Sequence, residues 1–182
     1  MTKGIAMKYA ATILLALAIT VPAGAQGLSR LVRFDGGIGV LPVSGPVLPV
    51  NQDGTFQNVR QNVVRDVLPS GTPWRIADLT ADIDVAGGIT VKGRGLLLAG
   101  GNSIGQNANQ RVFATLICES VAPFVQHSTA LAGVPLDLNG DFRIDDTLSD
   151  APSTCASPVL LIRTSGSGAW FAAGIRAFDK QN

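Results

Sequence analysis

The stretch from Trp74 to Leu98 constrains the fold of this chain more than any other part of the sequence. Apolar and polar residues alternate strictly over 79–85, and the alternation resumes at Ile89 after Gly87-Gly88. Period-two alternation indicates a half-buried strand, and a short glycine-containing interval between two such runs indicates a hairpin. The sequence therefore predicts an antiparallel β-hairpin with one buried face and one solvated face.

Turn chemistry also specifies a register for this hairpin. With Ala86-Gly87-Gly88 as a three-residue loop, and Gly88 in the left-handed conformation, Val85 lies opposite Ile89. The same register places Asp82 opposite Lys92 as a cross-strand charge pair.

Residues 1–25 have the organisation of a secretory signal peptide. Lys3 and Lys8 precede an apolar run over 10–21, and Ala23-Gly24-Ala25 matches a small-residue cleavage site. The apolar run is too short for a transmembrane helix, so the mature chain is not expected to span a membrane. The expected location is the periplasm or the extracellular medium.

Removal of this leader leaves no surplus of basic residues. The whole chain has 14 Lys and Arg and 13 Asp and Glu, and the leader holds two lysines and no acid. The mature chain therefore has 12 basic and 13 acidic residues. Without a basic excess, nucleic acid is not an expected partner. The expected partner is an unidentified protein or a ligand of the envelope or cell surface.

Cys118 and Cys155 are the two cysteines of the sequence. In an exported protein the default interpretation is one disulfide. Two cysteines and the single, distant His127 do not make a zinc site, and no metal or other cofactor is expected.

Short strands separated by turns are predicted along the rest of the chain. They comprise an edge strand near Leu31–Phe34 and strands over 62–68, 95–99, 111–118, 158–164 and 169–175. A second hairpin is predicted over 133–145, with Leu138-Asn139-Gly140 as its loop. No segment outside the leader has sustained helical spacing, so the pattern favours an all-β, single-domain antiparallel β-sandwich of the immunoglobulin-like or Greek-key type.

The composition divides the mature chain into two parts. The Gly- and Pro-rich segment 26–58 carries prolines at 42, 46 and 49, which exclude central-strand pairing in that part. We expect this segment to pack on the edge of the β-sandwich domain, which is predicted to span 59–182.

One motif indicates hydrolase chemistry. Residues 101–105 read Gly-Asn-Ser-Ile-Gly, the pattern of a nucleophile elbow, with Ser103 as nucleophile and Glu119 and His127 as its partners. No helix follows the motif and no parallel sheet is predicted, so a loop serine is the favoured interpretation. His127 is then expected on a loop surface.

A second segment resembles a calcium loop. Asp137 and Asp141 face each other in the predicted second hairpin, but 137–148 lacks the glycine and the glutamate that shape an EF-hand. A solvated hairpin tip is favoured, and Arg143 or a cation could relieve the two facing charges.

The two tryptophans, Trp74 and Trp170, suit either sugar stacking or core packing. Core packing is favoured because aromatic side chains are on average highly buried. The glycines of 36–39 do not form a phosphate loop, because no helix follows them.

The chain resembles a group of small exported bacterial proteins without an assigned activity. The resemblance is carried by the segments FDGGIGVLPVSG, VLPSGTPWRIADLTADI, GRGLLLAGGNSIG, VFATLIC, LDLNGDFRIDD and CASPVLLIRTSGSGAWFAAGI. The resemblance implies a shared β-sandwich-like fold and carries no catalytic residue. The expected function is a non-catalytic exported binding or structural module. The alternatives are a small secreted serine hydrolase using Ser103 and a calcium-dependent binding module at Asp137 and Asp141.

Overall fold

The computed structural model describes residues 29–53 and 56–178. The predicted signal peptide, residues 1–25, lies outside the described residues. Within the described part no helix is long and apolar enough to cross a membrane.

Thirteen strands make up the secondary structure of the described residues. They are β1 (Arg30–Gly39), β2 (Val43–Val50), β3 (Phe56–Gln61), β4 (Trp74–Arg75), β5 (Asp78–Asp84), β6 (Gly88–Arg94), β7 (Leu97–Leu98), β8 (Arg111–Ile117), β9 (His127–Ser128), β10 (Val134–Pro135), β11 (Phe142–Thr147), β12 (Val159–Thr164) and β13 (Trp170–Arg176).

Nine of these strands form one antiparallel sheet in the order β10-β8-β12-β13-β1-β5-β6-β11, with β9 also paired to β8. The two end strands, β10 and β11, lie against each other, so the sheet nearly closes on itself. β2 pairs with β3, and β4 pairs with β7, in two small separate sheets. The prediction of an all-β antiparallel fold with one disulfide is confirmed.

The core lies inside the curled sheet. Its fully buried side chains include Phe34 of β1, Leu79 of β5, Leu116 of β8 and Leu160 of β12. β8 is buried at every position after Arg111, as its apolar sequence predicts for a central strand. The strands predicted over 158–164 and 169–175 are present as β12 and β13, and they pair with each other around the turn 165–168.

β1 corrects the prediction of an edge strand near Leu31–Phe34. This strand lies in the middle of the sheet, between β13 and β5. Its glycines allow close approach: a Cβ at Gly39 would lie 2.0 Å from the carbonyl oxygen of Trp74, and one at Gly37 would lie 2.8 Å from Leu79 Cβ. The register with β13 shifts between Phe34 and Gly37, and Gly36 has φ +95°. The glycine-rich run is therefore a bulged central strand rather than a covering loop.

The proline-bearing segment pairs only within the two-stranded β2–β3 sheet. Neither strand is central, which agrees with the exclusion expected from the prolines at 42, 46 and 49.

The β5–β6 hairpin forms with the predicted inward face but a different register. Ile83 pairs with Ile89 and Asp82 with Thr90, so the predicted Val85–Ile89 and Asp82–Lys92 pairs are wrong. Asp84 Oδ1 accepts hydrogen bonds from Ala86 N and Gly88 N, and Gly87, not Gly88, has the positive φ of +88°. The Asp84 side chain thereby lengthens the loop and leaves Val85 exposed.

The strand predicted over 62–68 is a tight turn. Val64 and Val67 exchange backbone hydrogen bonds of 3.0 and 2.9 Å, and the intervening Arg65 and Asp66 both have positive φ. Arg65 is held there by its guanidinium, which donates to the carbonyl oxygen of Ile117 at 2.9 Å. Two consecutive left-handed residues are incompatible with a strand.

The strand predicted over 95–99 is reduced to Leu97–Leu98 and does not continue β6. Gly95 has φ +65°, and its amide donates to Asp141 Oδ1 at 3.0 Å. The chain therefore turns away from the sheet, and Leu97–Leu98 pairs with Trp74–Arg75 instead.

The second hairpin has the predicted loop and a shorter ladder. Asp137 N donates to Asp141 O at 2.9 Å around Leu138-Asn139-Gly140, and Gly140 has φ +82°. Beyond this closing bond the two arms separate, because β10 pairs with β8 and β11 with β6. The hairpin predicted over 133–145 is therefore confirmed at its loop, but its two arms do not pair along their length.

The disulfide between Cys118 and Cys155 joins the end of β8 to the segment before β12. It has an S–S distance of 2.02 Å and a Cα–Cα distance of 4.6 Å. The cysteine pairing predicted from the sequence is confirmed.

Candidate functional site

Three loops line an open cavity of about 760 Å³, here called the loop cavity. The loops precede β4, separate β7 from β8, and connect β12 to β13. The residues that line the cavity are Leu68, Pro69, Ser70, Gly71, Thr72, Trp74, Leu98, Gly100, Gly101, Asn102, Ser103, Ala108, Gln110, Thr164, Gly166, Ser167, Ala169 and Phe171. The cavity brings together two residues that the sequence singled out, Trp74 and Ser103.

Aromatic rings close the inner end of the loop cavity. Trp74 stacks on Phe171 with ring centroids 4.1 Å apart, and each side chain is only 4 % exposed. The indole Nε1 of Trp74 donates to Ser70 Oγ at 3.2 Å. The other tryptophan, Trp170, is 2 % exposed and donates to the carbonyl oxygen of Asn62. Both tryptophans therefore serve the core, as the sequence favoured.

Polar groups at the base of the loop cavity are hydrogen-bonded to one another. Thr164 Oγ1 donates to Gln110 Oε1 at 2.6 Å, and Gln110 Nε2 donates to the carbonyl oxygen of Ala108 at 3.2 Å. Ser70 Oγ also accepts from Thr72 N at 3.3 Å. The base is thus a preorganised polar surface, since its side chains are fixed before any ligand arrives.

The rim of the loop cavity carries side chains that are free to bind. Asn102 and Ser103 are exposed, and within the described part of the chain their side chains make no hydrogen bond. Their backbone is fixed, because Ser103 O accepts from Gln106 N and Gly105 N donates to Leu98 O. None of the described residues that line the cavity is charged.

The sequence signal for this site was incomplete. The motif at 101–105 pointed to Ser103, and Trp74 was a candidate for sugar stacking. Gln110, Thr164 and Ser167 were not singled out, because an isolated polar residue beside a turn has no motif. Their convergence depends on the topology: β8, β12 and β13 are neighbours in the main sheet, and the separate β4–β7 sheet brings its own flanking loops to them.

The structure does not bring Ser103, Glu119 and His127 together. Ser103 lies in the loop before β8, whereas His127 pairs with Leu116 near the other end of β8, about 17 Å of extended strand beyond Arg111. His127 is buried, contrary to the expected loop-surface position, and its Nδ1 lies 3.3 Å from the carbonyl oxygen of Ser149. A short strand on β8, rather than an open loop, buries it.

Glu119 is engaged with the backbone. Its carboxylate accepts a hydrogen bond from Val125 N at 3.1 Å, and this bond is the main reason that the pKa of Glu119 is lowered. Since Ser103 lies near the opposite end of β8, neither Glu119 nor His127 is placed to activate it.

The carboxylate of Asp141 organises the tip of the second hairpin. Its Oδ1 accepts from Gly95 N at 3.0 Å and its Oδ2 from Asn139 Nδ2 at 2.9 Å. Arg143, a proposed partner of these charges, pairs with Asp145 instead. Over residues 29–53 and 56–178 no group of three or more His, Cys, Asp or Glu side chains is placed to hold a metal ion.

Fold and cavity together define a small, disulfide-bonded all-β protein with an uncharged cavity between three loops. No family model, curated protein or solved structure matches the chain.

Proposed function

We propose that this protein is a non-catalytic binding module, exported to the periplasm or the medium, that holds an uncharged ligand rich in hydroxyl groups in the loop cavity. The observation that carries the proposal is the lining of the cavity: hydroxyl and amide side chains on fixed loops, without a charged residue among the described ones.

The chemistry of the lining favours a neutral saccharide. Binding sites combine an apolar surface with a few placed polar groups that fix the ligand's orientation. Here the carboxamide of Asn102 and the hydroxyls of Ser103, Thr72 and Ser167 can both donate and accept hydrogen bonds. A charged ligand would gain no ion pair in exchange for the water it loses. Desolvation of a sugar hydroxyl costs less free energy than desolvation of a charged group. In the cavity the hydroxyl meets both hydrogen-bond donors and hydrogen-bond acceptors.

Export is supported by the leader-like sequence over 1–25 and agrees with a disulfide in the mature chain. The resemblance of the sequence segments to small exported bacterial proteins without an assigned activity implies the same location and names no catalytic residue.

The test is a ¹H–¹⁵N NMR titration of the mature protein with maltotetraose, cellotetraose and tetra-N-acetylchitotetraose. We expect at least one of these sugars to give saturable shifts confined to 68–74, 98–110 and 164–171. The double variant Asn102→Ala/Ser103→Ala should weaken binding about tenfold or more, because two hydrogen bonds of about 1 kcal/mol each are lost. Ser120→Ala, on an exposed segment outside the cavity, is the matched control. Absence of saturable shifts with all three sugars would reject the proposed ligand class.

Two further measurements address the alternative functions. A serine-directed fluorophosphonate should not label the protein; labelling that disappears in Ser103→Ala would establish a hydrolase instead. Calcium should leave the melting temperature unchanged; a rise that Asp137→Asn/Asp141→Asn removes would establish a calcium-dependent module.

A further inference from the structure

A second cavity of about 840 Å³ lies on the outer side of β8 and β12 and is here called the Arg163 cavity. The segment 126–131 and the residues 146–149, which end β11 and continue just beyond it, form its other walls. It shares no lining residue with the loop cavity.

The Arg163 cavity contains a cation whose protein partners are neutral. Arg163 is half-buried; its Nε donates to Gly168 O at 2.6 Å, and its Nη1 donates to Gln126 Oε1 at 2.7 Å. The guanidinium also lies over the ring of Phe113, 5.1 Å from the centroid. No carboxylate of the described residues forms an ion pair with it.

One nitrogen of this guanidinium remains available. Within residues 29–53 and 56–178, Nη2 of Arg163 donates no hydrogen bond. Burial lowers the pKa of Arg163, which means that its surroundings disfavour the charge. An arginine nevertheless stays protonated, so an anion at Nη2 would offset that cost.

The other charged residue of the lining, Asp146, does not neutralise Arg163. Asp146 Oδ2 accepts from Ala130 N and Oδ1 from Thr147 N, each at 2.8 Å. Its carboxylate is thus held by the loop that it anchors.

The remaining walls of the cavity are largely apolar. Leu131 lines the cavity and is 64 % exposed. Leu148, Ala130 and Phe113 contribute further apolar surface. A ligand that uses both the wall and the free nitrogen needs an apolar body and one negative charge.

We propose that the Arg163 cavity binds a small aliphatic carboxylate, with the carboxylate at Nη2 of Arg163 and the aliphatic chain against Leu131. This site is independent of the saccharide site proposed above, so either can fail without the other.

The test uses octanoate as the probe, with octan-1-ol as the neutral isostere and sulfate as an anion without an apolar body. Binding is followed on the side-chain Nε–H signal of Arg163 and on the amides of 126–131 in ¹H–¹⁵N spectra. We expect saturable binding of octanoate, and affinities about tenfold lower for octan-1-ol and for sulfate.

Two variants and their controls locate the site. Arg163→Gln should weaken octanoate binding about tenfold or more, whereas Arg143→Gln, which removes the same charge from an exposed position on β11, should not. Leu131→Ser should weaken octanoate binding several-fold, whereas Leu138→Ser, at a leucine 87 % exposed on the hairpin tip, should not.

Equal affinity for octanoate and octan-1-ol, or no binding of octanoate, would overturn the proposal with the wild-type protein alone. If Arg163→Gln does not fold, the proposal can still be tested. Leu131→Ser and the comparison of the three probes both leave Arg163 in place.

Discussion

The indole of Trp74 lies on the ring of Phe171, with 4.1 Å between the ring centroids and 12° between the ring planes. Trp74 belongs to β4, the short strand after the 68–73 loop, and Phe171 belongs to β13, so the stack joins β4 to the main sheet. Both rings belong to the hydrophobic core and also line the loop cavity. Core packing and the shape of the candidate site therefore depend on one aromatic pair.

Truncation of this pair should cost much of the stability of the protein. We expect Phe171→Ala to lower the free energy of unfolding by about 3–5 kcal/mol, because a buried phenyl group and its stacking contact are both lost. Phe178→Ala is the control: Phe178 is 79 % exposed, and its removal should change stability by less than about 0.5 kcal/mol. Urea unfolding followed by circular dichroism measures both. Similar losses in the two variants would contradict the role assigned to the stack.

The faces of the strands could be predicted from the sequence, because side-chain alternation is a local property. Leu79, Ala81 and Ile83 are buried as the pattern predicted, and the turn at Leu138-Asn139-Gly140 has its glycine in the predicted conformation. The disulfide could be predicted from the two cysteines and from the leader-like sequence over 1–25, which predicts export. These features need no knowledge of which distant strands meet.

Register and strand neighbours could not be predicted, because they depend on single side-chain contacts and on tertiary packing. Asp84 caps its own loop and thereby decides which of two adjacent glycines turns left-handed. β1 is central because Gly37 and Gly39 admit Leu79 and the Trp74 backbone, which a sequence pattern cannot show. The two cavities likewise combine residues from several loops, each of which is unremarkable alone.

A comparison of Gly105 and Gly140 distinguishes the cost of a left-handed backbone from the cost of a steric clash. Gly140 and Gly105 have nearly the same φ, +82° and +85°, but a Cβ at Gly140 would lie 2.6 Å from Leu96 N, whereas one at Gly105 would meet nothing within 4 Å. Gly105→Ala should cost about 1 kcal/mol of unfolding free energy, the cost of left-handed backbone for alanine. Gly140→Ala should cost clearly more, because the hairpin tip must also move off Leu96. Chemical denaturation of both variants checks the order, and equal costs would refute the clash.

The disulfide should stabilise the protein through its closed loop. Cys118 and Cys155 are 37 residues apart, for which the chain-entropy model gives about 4 kcal/mol. We expect Cys118→Ser/Cys155→Ser to lower the free energy of unfolding by an amount of that order. The wild-type protein unfolded in the presence of a reductant should lose a similar amount, which controls for the serine hydroxyls. A double variant as stable as the oxidised wild type would show that the loop is already constrained in the unfolded chain.

Arg143 and Asp145 make part of the stability depend on pH. Arg143 Nη2 donates to Asp145 Oδ1 at 2.9 Å, and hydrogen bonds from Arg143 and then Thr90 lower the pKa of Asp145 below its ordinary value of 3.8. A carboxyl group whose pKa is lower in the folded state stabilises the fold above its unfolded-state pKa. That contribution is lost as the pH falls through the folded-state pKa.

The Asp145→Asn variant should therefore be less stable than the wild type near pH 6, and the difference should shrink towards zero as the pH is lowered from 4 to 2. Thermal unfolding across that range measures the difference, and NMR titration of the Asp145 carboxyl carbon measures the folded-state midpoint directly. In Arg143→Gln the midpoint should rise towards 3.8, because the first of the two hydrogen-bond donors is gone. An unchanged midpoint in that variant would mean that Thr90 alone holds the carboxylate in its charged form.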